Sequence, residues 1–149
     1  MLAVRPGITA GLTWGSRCFY FLGVDGYFGN GVRHTVAKQR IQELWENKSG
    51  CLSIQVMQEF YVTVTQKVPK PIDHATAIEI IRSLRYWNVH EPSIDDIIHA
   101  IELQIRYQVS FWDAMILQSA LQLECDLLWS EDLNPGQVYQ GIKLINPFQ

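Results

Sequence analysis

Paired cysteines are missing from this chain. Its three, Cys18, Cys51 and Cys125, are odd in number and far apart, which fits neither a disulfide framework nor paired zinc ligands. A reducing, cytoplasmic setting is the expectation. Long apolar runs are missing too, and none approaches the roughly 20 residues of a membrane span. The early run CFYFL, Cys18 to Leu22, is shorter than the apolar part of a secretory signal, so no membrane partner is expected. Dinucleotide, P-loop and nucleophile-elbow glycine motifs do not occur. The four histidines, His34, His74, His90 and His99, show neither HExxH nor any close-pair spacing. They read as surface or satisfied core groups.

What remains is an ordinary globular mixture, 149 residues with 48% hydrophobic and 18% charged side chains, enough for one domain with a sizeable core. Its net charge of −3 conceals an asymmetry. Residues 1–42 carry five Lys/Arg against one acid, Asp25, whereas 43–149 carry seven against fourteen. An acidic body has no field that attracts a polyanion, so such a substrate needs bound cations or a local basic patch. Lys67 and Lys70, in TQKVPKP, are the densest basic pair in that body. They suit a solvated turn, and equally a first phosphate contact.

Seven of the ten glycines fall within the first 31 residues. Residues 1–17 show no period and read as an irregular segment ahead of one domain, 18–149. CFYFLGV reads as a strand. Ala37, Ile41, Leu44 and Trp45 mark an amphipathic helix over His34 to Lys48, and CLSI a short buried strand. A helix with Met57, Phe60, Tyr61 and Val64 on one face runs to the prolines at 69 and 71. Asp73 caps the next helix, striped by Ala77, Ile78, Ile81 and Leu84, and Asn88 to His90 is a short strand. Ser93 with Asp96 has capping-box spacing ahead of Ile94, Ile97, Ile98, Ile101 and Ile105. Leu127 to Trp129 and Ile142 to Asn146 close the list of strands. Short strands alternating with longer helices predict an α/β sandwich with a mostly parallel sheet.

Within VSFWDAMILQSALQL, Val109 to Leu123, everything is apolar apart from Ser110, Asp113 and three later polar residues, so the acid near its start needs a reason. The spacing from Ser110 suits a helix cap. A second reading comes from three other segments. In open α/β sheets ligands sit beyond the carboxyl ends of the strands. Glu59 lies one turn into the helix that leaves CLSI, and Glu131 and Asp132 directly follow LLW. Two such carboxylates about 4 Å apart repel by roughly 4 kcal/mol at an effective dielectric near 20. A retained proton or a cation must relieve that, and hard oxygen donors without neighbouring His or Cys favour Mg²⁺ or Mn²⁺ over zinc.

The order QVMQEF, SFWDA, LLWSEDLNPGQ and INPF, from about Val36 to Phe148, resembles the PIN-domain family. It is closest to the VapC-like ribonuclease toxins of bacterial toxin-antitoxin pairs. The resemblance implies a PIN-like three-layer sandwich whose acids bind Mg²⁺ or Mn²⁺ and hydrolyse RNA phosphodiesters. By the same motifs Glu59, Asp113 and Asp132 are metal-binding and catalytic acids, and Ser130 is a hydroxyl that orients an acid or a water. Gln137 stands beside the site, and Glu131 takes the variable middle place below Asp132. A cognate antitoxin, docked as a peptide or helix in an apolar groove between early helices, and a homodimer are the implied partners. Trp112 adjoins the site, whereas Trp14, Trp45, Trp87 and Trp129 read as core.

The chain departs from the family pattern at the first strand, which normally ends in D-T-N or D-S-N. Here Gly23 falls near the expected acid, with Asp25 two residues on, a shift that keeps the strand face but moves about 6.6 Å along it. Asp25 recruited as a fourth ligand, a site one ligand short, and a shifted reading frame over the first segment all fit. The alternative function is therefore a catalytically impaired PIN module that binds a protein or RNA without cutting it.

Overall fold

The computed structural model describes residues 18–20 and 31–149. The irregular segment 1–17, the expected continuation of the first strand and Asp25 lie outside the described residues. In chain order the elements are β1 (Cys18–Tyr20), α1 (Val32–Asn47), β2 (Gly50–Ser53), α2 (Ile54–Val62), α3 (His74–Leu84), β3 (Asn88–His90), α4 (Ile94–Tyr107), α5 (Phe111–Gln122), β4 (Leu127–Trp129), β5 (Val138–Tyr139) and β6 (Ile142–Ile145). One π-helical turn, Thr63–Lys67, extends α2. The sequence pattern marks a single helix there and does not reveal the change of winding.

The strands form one sheet in the order β3-β2-β1-β4-β6-β5. All neighbours pair in parallel except β5, which runs antiparallel to β6. This is the expected α/β sandwich, a parallel sheet with helices packed on it. The chain steps outward from β1 through β2 to β3, then returns to the other side of β1 at β4. That reversal opens a crevice at the carboxyl ends of β1, β2 and β4, the place where open α/β sheets bind ligands.

Leu52, Leu127, Leu128, Trp129, Ile142 and Leu144 supply the sheet's share of the core, each at most 2% exposed. Between sheet and α4 lies α5, buried without a break from Ala114 to Ala120. That explains a helix apolar on nearly all sides. Its two buried polar residues are satisfied by one network. Gln118 donates to Asp96 Oδ1 at 3.0 Å, and the Ser119 hydroxyl meets His90 Nδ1 at 2.9 Å. His90 Nε2 lies 3.4 Å from Asp96 Oδ2, which also accepts from the backbone N–H and hydroxyl of Ser93. Burial pushes the Asp96 carboxyl up; the hydrogen bonds of Gln118 and Ser93, with His90 alongside, outweigh it and leave the pKa at about 2.

The caps at Asp73, Ser93 and Ser110 form as expected. On α4 the isoleucine row marks the helix but not its buried face, since Asp96, Ala100 and Leu103 face inward while Ile94, Ile98, Ile101 and Ile105 stand in solvent. Trp45, at 40% exposure, is likewise only partly core, stacked edge-on against Trp87 at 5.2 Å. The Trp87 ring lies directly over Gly50, where a Cβ would come within 2.0 Å of it. Only glycine lets β2 pass under that ring.

Candidate functional site

Each acid reaches the crevice from a different element. Asp113 lies in the first turn of α5, beside its cap Ser110. The Ser110 hydroxyl accepts from the Asp113 N–H at 3.1 Å and donates to Asp113 Oδ2 at 2.6 Å, which pins the half-buried carboxylate by one oxygen. Its negative charge is favoured by the positive end of the helix. Asp132 sits in the turn after β4, where its N–H donates to the hydroxyl of Ser130 at 3.1 Å. Ser130 is itself fully buried at the strand end, so the turn cannot swing freely.

The charge of Asp113 acts on Asp132. Burial raises the Asp132 carboxyl above its ordinary value, and the negative charge of Asp113 raises it further. The charge of Asp113 also reaches Tyr139, whose phenol is pushed up first by burial, then by Asp113 and by Tyr107. The Tyr139 hydroxyl donates to Gln137 Oε1 at 2.9 Å. Gln137 therefore joins the site through a tyrosine that the sequence does not single out.

Glu59 approaches from α2 through an intermediary. The Gln55 amide donates from Nε2 both to Glu59 Oε1, at 3.0 Å, and to the carbonyl of Trp112, at 3.3 Å. One side chain thus ties the acid of α2 to the residue next to Asp113. Glu131 pairs with Arg33 of α1 at 3.0 Å. Arg33 also lies over the ring of Phe148, 5.2 Å from its centroid. It is the positive group that ion pairing ties to the SED turn, and no motif marks it. Lys67 and Lys70 are exposed at the other end of the α2 extension, eight or more residues beyond Glu59, roughly 12 Å along a helix axis.

Ser53 was also invisible to motif reasoning. It ends β2 at the crevice, is 0% exposed, and its hydroxyl has no hydrogen-bond partner among the described residues. The only signal is a serine closing an apolar strand immediately before a helix.

No group of three His, Cys, Asp or Glu side chains spaced to hold a metal occurs among the described residues. A pair of carboxylates, one of them raised by burial and by the charge of the other, would suit Mg²⁺ or a similar hard cation, which takes one or two carboxylates and keeps much of its water. Asp113 and Asp132 are that pair.

Residues 27–140 match the PIN domain. The chain belongs to the PIN-domain family. PIN domains are generally nucleases that use divalent metals. A chain of a toxin-antitoxin complex from Klebsiella pneumoniae has the same fold, with a TM-score of 0.62 and 18% identity over 90% of this chain and 99% of that one. No curated protein matches the sequence. Among the described residues no helix is long and apolar enough to cross a membrane.

The raised Asp132 carboxyl fixes the sign of a stability test. An acid whose folded pKa is raised costs stability when charged, and the cost disappears as pH falls through that pKa. Asp132→Asn is expected to raise the melting temperature of metal-free protein at pH 7, with the gain fading in acid. Differential scanning calorimetry across pH checks it; a variant that melts lower at pH 7 contradicts the coupling.

Proposed function

We propose that this chain is a VapC-like endoribonuclease, the toxin of a toxin-antitoxin pair, which hydrolyses RNA phosphodiester bonds with Mg²⁺ or Mn²⁺. The observation that carries the reading is placement: within the PIN match, Asp113 opens α5 and Asp132 sits in the turn leaving β4, the strand beside the reversal of the sheet order. Family membership supports the nuclease class, and the toxin-antitoxin fold neighbour supports the antitoxin partner.

In this reading Asp113 and Asp132 hold the cation, with Asp25 as a further ligand. When bound, the ion lowers the pKa of a water and offsets charge on the phosphate oxygens. Ser110 fixes the Asp113 carboxylate, and Ser130 holds the backbone of the turn that carries Asp132. Glu59 accepts from Gln55 through Oε1, which leaves Oε2 to take the proton of the attacking water. The water oxygen bonds to phosphorus, the ester bond to the leaving ribose oxygen breaks, and solvent returns a proton to that oxygen. Gln137 orients groups at the rim, while Lys67 and Lys70 contact phosphates farther along the strand.

A homodimer is part of the proposal. On α4 the exposed row Ile94, Ile98, Ile101, Ile105 has steps of four, three and four residues, the same in both directions. Two antiparallel copies therefore set Ile94 against Ile105 and Ile98 against Ile101. The acidic start of α4, with the exposed Asp95, then meets the end that carries Arg106. The cognate antitoxin is assigned to an apolar groove between the early helices.

Purified protein is expected to cut single-stranded RNA with Mn²⁺ and to stop with chelator, as followed on end-labelled oligonucleotides. Asp113→Asn is expected to lower the rate on the order of 10²–10³-fold. Undiminished cleavage by the double variant Asp113→Ala, Asp132→Ala refutes the site. RNA bound but never cut returns the impaired-module alternative. Sedimentation should show a dimer that Ile98→Glu with Ile101→Glu converts to monomer; a dimer surviving both changes places the interface elsewhere.

A further inference from the structure

Trp112 leaves 64% of its surface in solvent, although it begins the helix that is otherwise the most deeply buried in the fold. The core does not need this ring. It is nevertheless held still. Its carbonyl accepts from Gln55, the same amide that binds Glu59. Its ring meets Phe111 edge-on at 5.2 Å and 66°, and from Ala114 onward the helix is locked between sheet and α4. Trp112 thus presents an exposed aromatic ring on the residue next to Asp113, its backbone bonded to the same amide that holds Glu59.

The surroundings narrow what such a face can hold. Glu59, Asp113 and Asp132 are all acidic, so attraction to phosphate is not available at this spot without a cation. A nucleobase is neutral, and stacking on an aromatic ring recognises its π-face whatever its sequence. Only an unpaired base offers that face, since in a duplex both faces are covered by neighbours. Tyr86, more exposed at 83%, stands between α3 and β3 with no acid of this set tied to it by any hydrogen bond described.

We infer that Trp112 is a substrate-binding residue, a platform on which an unpaired base next to the scissile phosphate stacks. Gln55 is its positioning residue, since one amide sets both the platform and Glu59. This rests on the ribonuclease reading above.

The test uses the full chain with Trp112→Leu and Trp112→Phe, neither of which touches the buried core. Fluorescence anisotropy with a labelled single-stranded RNA, in Ca²⁺ to suppress cleavage, reads affinity. Leucine is expected to weaken binding between about fivefold and a hundredfold, the range of one lost base stack, and phenylalanine to restore most of it. Under Mn²⁺ the loss should appear in KM, with kcat within about twofold. An abasic nucleotide at the stacked position should weaken the wild type and leave Trp112→Leu unchanged. Wild-type affinity in Trp112→Leu overturns the inference while leaving the ribonuclease intact. The same holds if that variant keeps RNA affinity and loses only a bound protein partner, which makes the ring a protein anchor. A wild type that neither binds nor cuts RNA fails the ribonuclease reading, and the inference with it.

Discussion

Two like charges are held where the sheet reverses its strand order, and the rest of the architecture serves to keep them there. Asp113 enters from the start of a buried helix and Asp132 from the turn after β4. Neither is free to retreat, because the hydroxyls of Ser110 and Ser130 fix the segments that carry them. Electrostatic strain of this kind persists in a folded protein only when packing elsewhere stabilises the arrangement. In the proposed reading a divalent cation would offset that repulsion.

Packing around α5 supplies that stabilisation. The helix is enclosed by the sheet and α4, and its two buried polar residues close a network with Asp96, Ser93 and His90 that joins α4, α5 and β3. A fully satisfied network of this sort tolerates little sliding, since any shift strands a buried donor or acceptor. The position of Asp113 is thereby set by groups far from the crevice. On the other side Gln55 bonds α2 to the start of α5, which carries Glu59 to the same rim without a direct contact between acids.

Much of the fold was legible in the sequence because its cues are local. Strands β3 and β4 fall at Asn88–His90 and Leu127–Trp129 as the apolar runs indicate, and the caps at Asp73, Ser93 and Ser110 follow from spacing alone. Periodicity could not say which face of α4 is buried, because Asp96 is drawn inward by partners from other elements while isoleucines face water. The short antiparallel β5 and the π-helical turn after α2 likewise depend on tertiary pairing and leave no local mark. At the site, the sequence marks Asp132 by its place after a strand and Asp113 by its place at the start of the buried helix before that strand. The roles of Gln55, Tyr139 and Arg33 were not legible, because an amide, a phenol and a guanidinium acquire them only through distant partners. Asp25, the acid weighed against the missing strand-end carboxylate, lies outside the described residues.

The central claim is that the charge of Asp113 acts on the carboxyl of Asp132. Carbon-detected NMR titration of the Asp132 side chain, in metal-free wild type and in Asp113→Asn, measures this directly. The account predicts a carboxyl titrating above the ordinary aspartate range in the wild type and falling back toward it when the neighbouring charge is removed. An Asp132 that titrates identically in both proteins contradicts it.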